Sequence, residues 1–266
     1  MESKTYTSDK EFKKIVIEEV EKDIDIQKSK DNKIHFEYVE NLKYYFFDID
    51  DSSSTLTIKR KDKRTTFNRG SSFSIDNKDV LYIPLEYSGT IDINLTVGNI
   101  NVDGIKNEEM AFSLNLTSGD INIESSNFKS LKCELAAGDI SLNNIIIKEV
   151  NINKTNGSLN IKDLKNNNSF LLYSDNGLNS LEDIVSDSIG IESNNGDSNL
   201  KNIDIKSSLN IKNNTGKINL SLSGSKIDYS ISAVTNIGTT PSSSTFGDIK
   251  IILSTNVGDI KVTFLK

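Results

Sequence analysis

Glycine keeps a beat in this chain. Gly98, Gly119, Gly138, Gly157, Gly177, Gly196 and Gly216 follow one another at gaps of 21, 19, 19, 20, 19 and 20 residues. The words around them match: TVGNINV, TSGDINI, AAGDISL, TNGSLNI, NNGDSNL and NTGKINL, with FGDIKI and VGDIKV around Gly247 and Gly258 near the end. A fixed period of this length marks a repeat architecture, in which one unit cannot bury its apolar face alone and neighbours must stack.

Apolar residues alternate on both sides of each glycine. Before it stand Ile93 and Leu95, Leu114 and Leu116, Leu131, Cys133 and Leu135, Val150 and Ile152, Ile189 and Ile191, Leu209 and Ile211. After it stand Ile100 and Val102, Ile121 and Ile123, Ile140 and Leu142, Leu159 and Ile161, Ile218 and Leu220. Seven positions past the glycine, Ile105, Ile145, Leu164, Ile184 and Ile203 add a third inward site. Period-two alternation means strands with one buried face. The predicted fold is therefore all-β: a parallel β-solenoid, or β-helix, with coils of about 20 residues stacked at roughly 4.8 Å. The general preference for parallel crossovers makes it right-handed.

The glycine is placed at a corner, where it can take a positive φ without a Cβ penalty. Asn99, Asp120, Asp139, Asp197, Asp248 and Asp259 follow a glycine directly, as turn-stabilising Asx residues do. Stacked carboxylates could also form a calcium ladder. Ser158 and Lys217 at the same position, and the lack of a glycine-rich nonapeptide pattern, speak against it, so no metal is assigned.

Two breaks interrupt the beat. Around Gly177 the word YSDNGLNSLEDI displaces the apolar residue two positions on, which predicts a bulged or strained coil. Between Gly216 and Gly247, Gly238 falls near the beat and TTPSSST follows as an insert expected to bulge out as a loop. Such inserts are candidate binding sites as well as tolerated excursions. The words GDIKIILSTNVGDIKVTF suggest a C-terminal closing hairpin or half-coil.

Residues 1–85 differ from residues 86–266, although the two read as one continuous domain. The first 85 hold 33 charged residues, against 36 in the remaining 181. Short strands are predicted at Lys14–Glu18, Asp23–Gln27, Lys33–Tyr38, Tyr44–Asp50, Leu56–Lys59 and Val80–Pro84, separated by turn words such as KSKDNK and DDSSS. Solenoid ends expose edges and an open core, so this region is expected to be an N-terminal β-meander cap grading into the first coils.

Several function classes lack their usual marks. A net charge of -7 gives no electrostatic footprint for nucleic acid. The basic cluster Lys59, Arg60, Lys61, Lys63 and Arg64 reads first as a solvated hairpin, and second as a dock for an anionic polymer or membrane. No apolar run is long enough for a transmembrane helix, and MESKTYTSDKEFKK has no apolar signal core. Cys133 is the sole cysteine, in the alternation of a buried strand. No zinc spacing, phosphate loop or GxSxG word occurs, and a nucleophilic triad would have to rest on the single histidine, His35. No catalytic residue and no cofactor are assigned, and the ligand-binding residues are unknown at this stage.

The words TSGDINIE, AAGDISLNN and TNGSLNIKDL, together with VLYIPLEYSGTIDINLTVGNINVDGI, resemble the bacterial putative-adhesin family of β-strand repeats. Upstream, DIDIQKSKDNKIHFEYVE and STLTIKRK resemble its opening strands, so the likeness covers about residues 12–266. The resemblance implies a bacterial β-solenoid, often envelope-associated, carrying a domain-of-unknown-function label and no catalytic residues to transfer.

Three functions compete on this reading. The first is a non-enzymatic binding or adhesion scaffold of a cell envelope, with a glycan, cell-wall or protein partner. The second is an intracellular or membrane-proximal structural module in envelope-stress signalling, acting through protein partners. The third is a carbohydrate-active β-helix enzyme using paired carboxylates on a side face. Location stays open between the envelope, implied by the resemblance, and the cytoplasm, allowed by the missing signal core.

Overall fold

The computed structural model of the chain describes residues 1–64 and 78–265. It is an all-β parallel solenoid of about eight turns with coils of about 20 residues. The first strands are β1 (Glu2–Ser8), β2 (Lys14–Glu19), β3 (Ile24–Lys28), β4 (Ile34–Glu40), β5 (Tyr45–Asp50), β6 (Thr55–Asp62) and β7 (Asp79–Ile83). The repeats supply β8 (Thr90–Val97), β9 (Ile100–Asp103), β10 (Lys106–Ser118), β11 (Ile121–Glu124), β12 (Asn127–Ala137), β13 (Ile140–Asn156), β14 (Leu159–Asn176), β15 (Asn179–Asn195), β16 (Ser198–Thr215) and β17 (Ile218–Ser223). The end holds β18 (Tyr229–Ile237), β19 (Ser244–Thr245), β20 (Ile249–Val257) and β21 (Ile260–Leu265).

Stacking puts like residues in columns. Ile93, Leu114, Cys133, Ile152, Leu172, Ile191 and Ile211 pair one above the next. Each is at most 1% exposed, and burying such a side chain contributes about 1.5–3 kcal/mol. Cys133 fills its column as a small apolar residue, and burial pushes its thiol well above the ordinary range.

Two corners of each coil need a left-handed backbone. At the first, Gly119 and Gly138 take φ values of 133° and 139°. A Cβ on either would collide with the carbonyl oxygen of the corner glycine one coil below. Glycine is thus required twice over, by conformation and by the close approach of the next backbone. At the second corner, six residues on, Ser125, Asn144, Asp163, Asp183 and Asn202 hold φ between 49° and 57°, and Gly104 holds 68°. Asn and Asp tolerate this left-handed region better than other side chains.

Both ends of the stack depart from chain order. β2 lies between β6 and β8, so Thr55–Asp62 forms a rung outside the one that precedes it in sequence. β3 lies likewise between β7 and β9. At the other end β20 lies between β16 and β18. Residues 249–265 are therefore a half-coil inserted under residues 229–237, not a closing hairpin. Gly258 and Gly238 continue the glycine ladder beyond Gly216, in that spatial order. Gly247 is not a corner: a Cβ there would meet the backbone of Asp228.

The N-terminal cap is antiparallel: β5 covers β6, β4 covers β7, and β1 covers β4. The six predicted strands appear there as β2 to β7, but β2, β3, β6 and β7 are solenoid rungs and not a meander.

The basic cluster is consumed inside this cap. The side chain of Arg60 is fully buried; it bonds Glu19 at 2.6 Å and Glu21 at 2.7 Å, and its guanidinium lies 3.9 Å from the Tyr45 ring centre. Arg64 pairs with Asp62 and Glu21, Lys59 with Glu18, and Lys61 with Asp48. Lys63 donates to the Leu42 carbonyl. The hairpin reading holds in part: β5 and β6 pair antiparallel and Lys59, Lys61 and Lys63 reach solvent, whereas Arg60 and Arg64 are buried in ion pairs.

Two further expectations are corrected. The coil at Gly177 is not bulged there: Leu159, Asn179 and Ser198 stay in register, and the irregularity lies between Asn166 and Ser169. Asn179 simply points inward where the coils below place Ile or Leu and the next coil places Ser198, and it is fully buried. The TTPSSST insert does not bulge from a side face. It folds back over the last rung, where Ser244 and Thr245 pair with Ile231 and Ser230, and Ser244 Oγ donates to the Tyr229 carbonyl.

A candidate ligand groove on the side face

The strand entering each glycine corner sends two rows of side chains outward. One row, four residues before the glycine, runs Asn94, Asn115, Glu134, Asn153, Tyr173, Glu192 and Lys212 through successive coils. The other, two residues before it, includes Thr96, Thr117, Thr155, Asp175, Asn194 and Asn214. They line two hollows, of about 850 Å³ and about 400 Å³. Asn153 borders both, so they form one tract along the stack.

Its surface is amide, hydroxyl and carboxylate. Asn115 Nδ2 donates to Asn94 Oδ1 at 2.8 Å, and Asn194 Nδ2 to Asp175 Oδ1 at 2.5 Å. An amide engaged once in this way keeps a second N–H and spare lone pairs for a ligand. Lys59 pairs with Glu18 at one end, and Lys132 with Glu134 at 2.8 Å alongside. Tyr173, 47% exposed, offers an aromatic surface in the middle.

Beneath the tract the inward position three before the glycine changes chemistry along the stack. Leu95, Leu116 and Leu135 give way to Lys154, Ser174, Ser193, Asn213 and Thr255. Lys154 is 1% exposed and donates to the carbonyls of Gly157 at 2.7 Å and Asn176 at 3.2 Å. Burial pushes its ammonium down to about 8. Asn213 and Thr255 likewise donate to glycine carbonyls, of Gly196 and Gly216. Ser174 Oγ, Ser193 Oγ and both amide atoms of Asn179 have no partner.

The Asx residues after the glycines have a mechanical role. Asn99 accepts the backbone N–H of Asp120, Asp120 that of Asp139, and Asp139 that of Ser158, each from the next coil. They tie coils together, whereas the expected local turn bond would stay within one coil. Among the described residues no group of three or more His, Cys, Asp or Glu could hold a metal ion.

His35 sits on the cap, with Thr7 Oγ1 2.9 Å from Nδ1 and Asp31 Oδ1 2.8 Å from Nε2. The hydrogen bond from His35 holds the Asp31 carboxyl down to about 2. Asp31 is largely exposed, and His35 lines neither hollow of the tract.

Of the tract's polar residues the sequence reading singled out only Lys59 and Arg60, in the basic cluster, and none of the outward rows. The signal was present, because Asn94, Asn115 and Asn153 keep the glycine beat. Showing that they form one outward row takes the strand registers. The sequence also passed over the second corner, whose Gly, Ser, Asn and Asp keep the same beat.

The family model described as Toastrack DUF4097 matches residues 12–263. No curated protein is a significant match. Among solved structures, a protein described as a putative lipid binding protein from Parabacteroides distasonis is similar at 18% identity, covering 99% of this chain and 97% of its own, with a TM-score of 0.54. It shares the fold. A putative adhesin from Parabacteroides merdae is 15% identical, with coverages of 100% and 96% and a TM-score of 0.48. Another from Bacteroides fragilis is 15% identical, with coverages of 98% and 97% and a TM-score of 0.45.

Proposed function

Since the chain belongs to the Toastrack DUF4097 family, a domain of unknown function, we propose from its own surface that it is a non-enzymatic binding scaffold of a bacterial cell envelope, holding an extended glycan along the side-face tract. The observation that carries the reading is the pair of outward rows repeated coil after coil. A ligand with its own repeat meets an outward polar or aromatic side chain at nearly every step of roughly 4.8 Å, most of them amides and hydroxyls. Glu18, Glu134, Asp175 and Glu192 among those rows disfavour a polyanion, and the amides favour a neutral, hydroxyl-rich chain.

Binding of the purified chain to a panel of neutral oligosaccharides and solubilised bacterial cell wall tests it. The triple variant Asn115→Ala, Asn153→Ala, Tyr173→Ala should lose at least tenfold in affinity while melting like the parent, since all three side chains face outward. Unchanged binding in that variant removes the tract from consideration. Fractionation with protease shaving of intact cells tests the location: envelope signal is expected, and signal only in the cytosol defeats the envelope reading.

A further inference from the structure

The two ends of the stack are closed differently. The outer N-terminal edges, β1 and β5, carry Glu2, Lys4, Asp48 and Asp50. Charges on an edge strand block the addition of another strand. At the C-terminal end the outermost rung has no such protection. From Tyr229 to Gly247 there is no charged residue, in a chain that is 26% charged.

Among the described residues the backbone there is also uncovered. β18 pairs with β20 on one side, while β19 covers only Ser230 and Ile231 on the other. Ser232–Ile237 keeps a free edge of about 20 Å at the usual rise per residue. Side chains follow the same change. The row that carries Asn153, Tyr173 and Lys212 ends in Val234, 58% exposed. The position directly before the glycine, Asn156, Asn176 and Asn195 in the middle coils, ends in Val257 and Ile237, 43% and 66% exposed. Phe246, next to Thr245 at the other end of β18, is 79% exposed.

We infer that this end is an interface between two copies of the chain, joined tail to tail through Ser232–Ile237 about a two-fold axis. A two-fold contact uses one patch twice, so the free edge of one copy can pair antiparallel with that of the other. Head-to-tail stacking is barred, because the opposite end is covered by charged antiparallel strands. The uncharged segment offers a partner of high charge no complementary group.

Sedimentation of the full chain across a concentration series, with hydrogen exchange at the alternate amides of residues 232–237 that point away from β20, tests this. A dimer that dissociates on dilution is expected, with those amides protected only in the dimer. The variant Val234→Lys, Ile237→Lys should sediment as a monomer and melt within a few degrees of the parent monomer, since both side chains face solvent. A parent that stays monomeric at every concentration overturns the inference, as does a variant that dimerises like the parent. The far end of the ligand tract, at Ser254–Asn256, adjoins Val234, but the two tests change different side chains, Asn115, Asn153 and Tyr173 against Val234 and Ile237, so failure here and failure of glycan binding are separate results.

Discussion

One inward column can be followed from the terminal rung into the body of the stack, and its chemistry differs between the two. Arg60 and Glu19 occupy it in the first two rungs, then Leu95, Leu116 and Leu135 in the next three. In the body apolar columns such as Ile93, Leu114, Cys133 and Ile152 meet a similar side chain above and below, and this column follows them as far as Leu135. The terminal rung has no coil beyond it, and aromatic residues of the antiparallel cap lie there instead: Tyr45 and Phe47, each within 6 Å of the Lys22 ammonium. Local repetition stabilises the body, and long-range charge pairs stabilise the end.

The sharpest way to break the body is at a corner. Gly138→Ala forces a Cβ into the Gly119 carbonyl oxygen at a positive φ, and should cost more than about 4 kcal/mol. Gly104→Ala is the control: its φ is 68°, but nothing lies within 4 Å, so only the conformational cost of about 1–2 kcal/mol applies. Chemical denaturation of the two variants measures the difference. Equal losses would mean that the close approach between coils contributes nothing. Ile121→Asp, which buries a charge in a central coil, should cost about 3–5 kcal/mol.

At the terminal rung the same logic inverts. Arg60→Ala leaves Glu19 buried without its partner and should cost about 3 kcal/mol. Replacing both, as Arg60→Met with Glu19→Leu, should restore most of that loss, because the column would then continue the leucines of the body. A double variant as unstable as the single one would show that the ion pair does more than fill space.

Acidity offers a gentler probe of the same end. Asp79 is fully buried against Lys22 at 3.0 Å; burial, reinforced by nearby Glu19, pushes its carboxyl up to about 7. A carboxyl raised in the folded state contributes stability that is present below about pH 4 and lost as pH rises through about 7. Asp79→Asn should therefore flatten the stability profile between those values. A profile unchanged by the substitution would assign the slope to other groups.

The contrast also decides what could be read beforehand. The body was legible because its signals are periodic: Ile121, Ile140 and Leu159 declare their column by spacing alone. The order of the end rungs was not. Leu56 and Ile58 alternate as Ile15 and Ile17 do, and alternation gives the buried face of a strand without naming its neighbour. Arg60 looked solvated because Glu19 is 41 residues away in sequence. The Gly177 word was visible as a break, but its consequence depended on register.

That break permits the finest test of the comparison, because it places end-like chemistry inside the body. Asn166 is buried too, yet its amide donates to the carbonyls of Lys148 and Ser169 and accepts from Ser186, so its hydrogen bonds offset its desolvation. Asn179 has no such partners at either amide atom. If the column rule of the body governs this position, Asn179→Leu removes an orphaned polar group and rejoins Leu159 below it. It should then stabilise the chain by about 1 kcal/mol, a rise of a few degrees in melting temperature. Asn166→Leu should instead destabilise it, by removing the partner of two carbonyls and of the Asn168 N–H. Opposite signs at two buried asparagines would show that hydrogen-bond satisfaction, and not polarity itself, sets what an inward column tolerates.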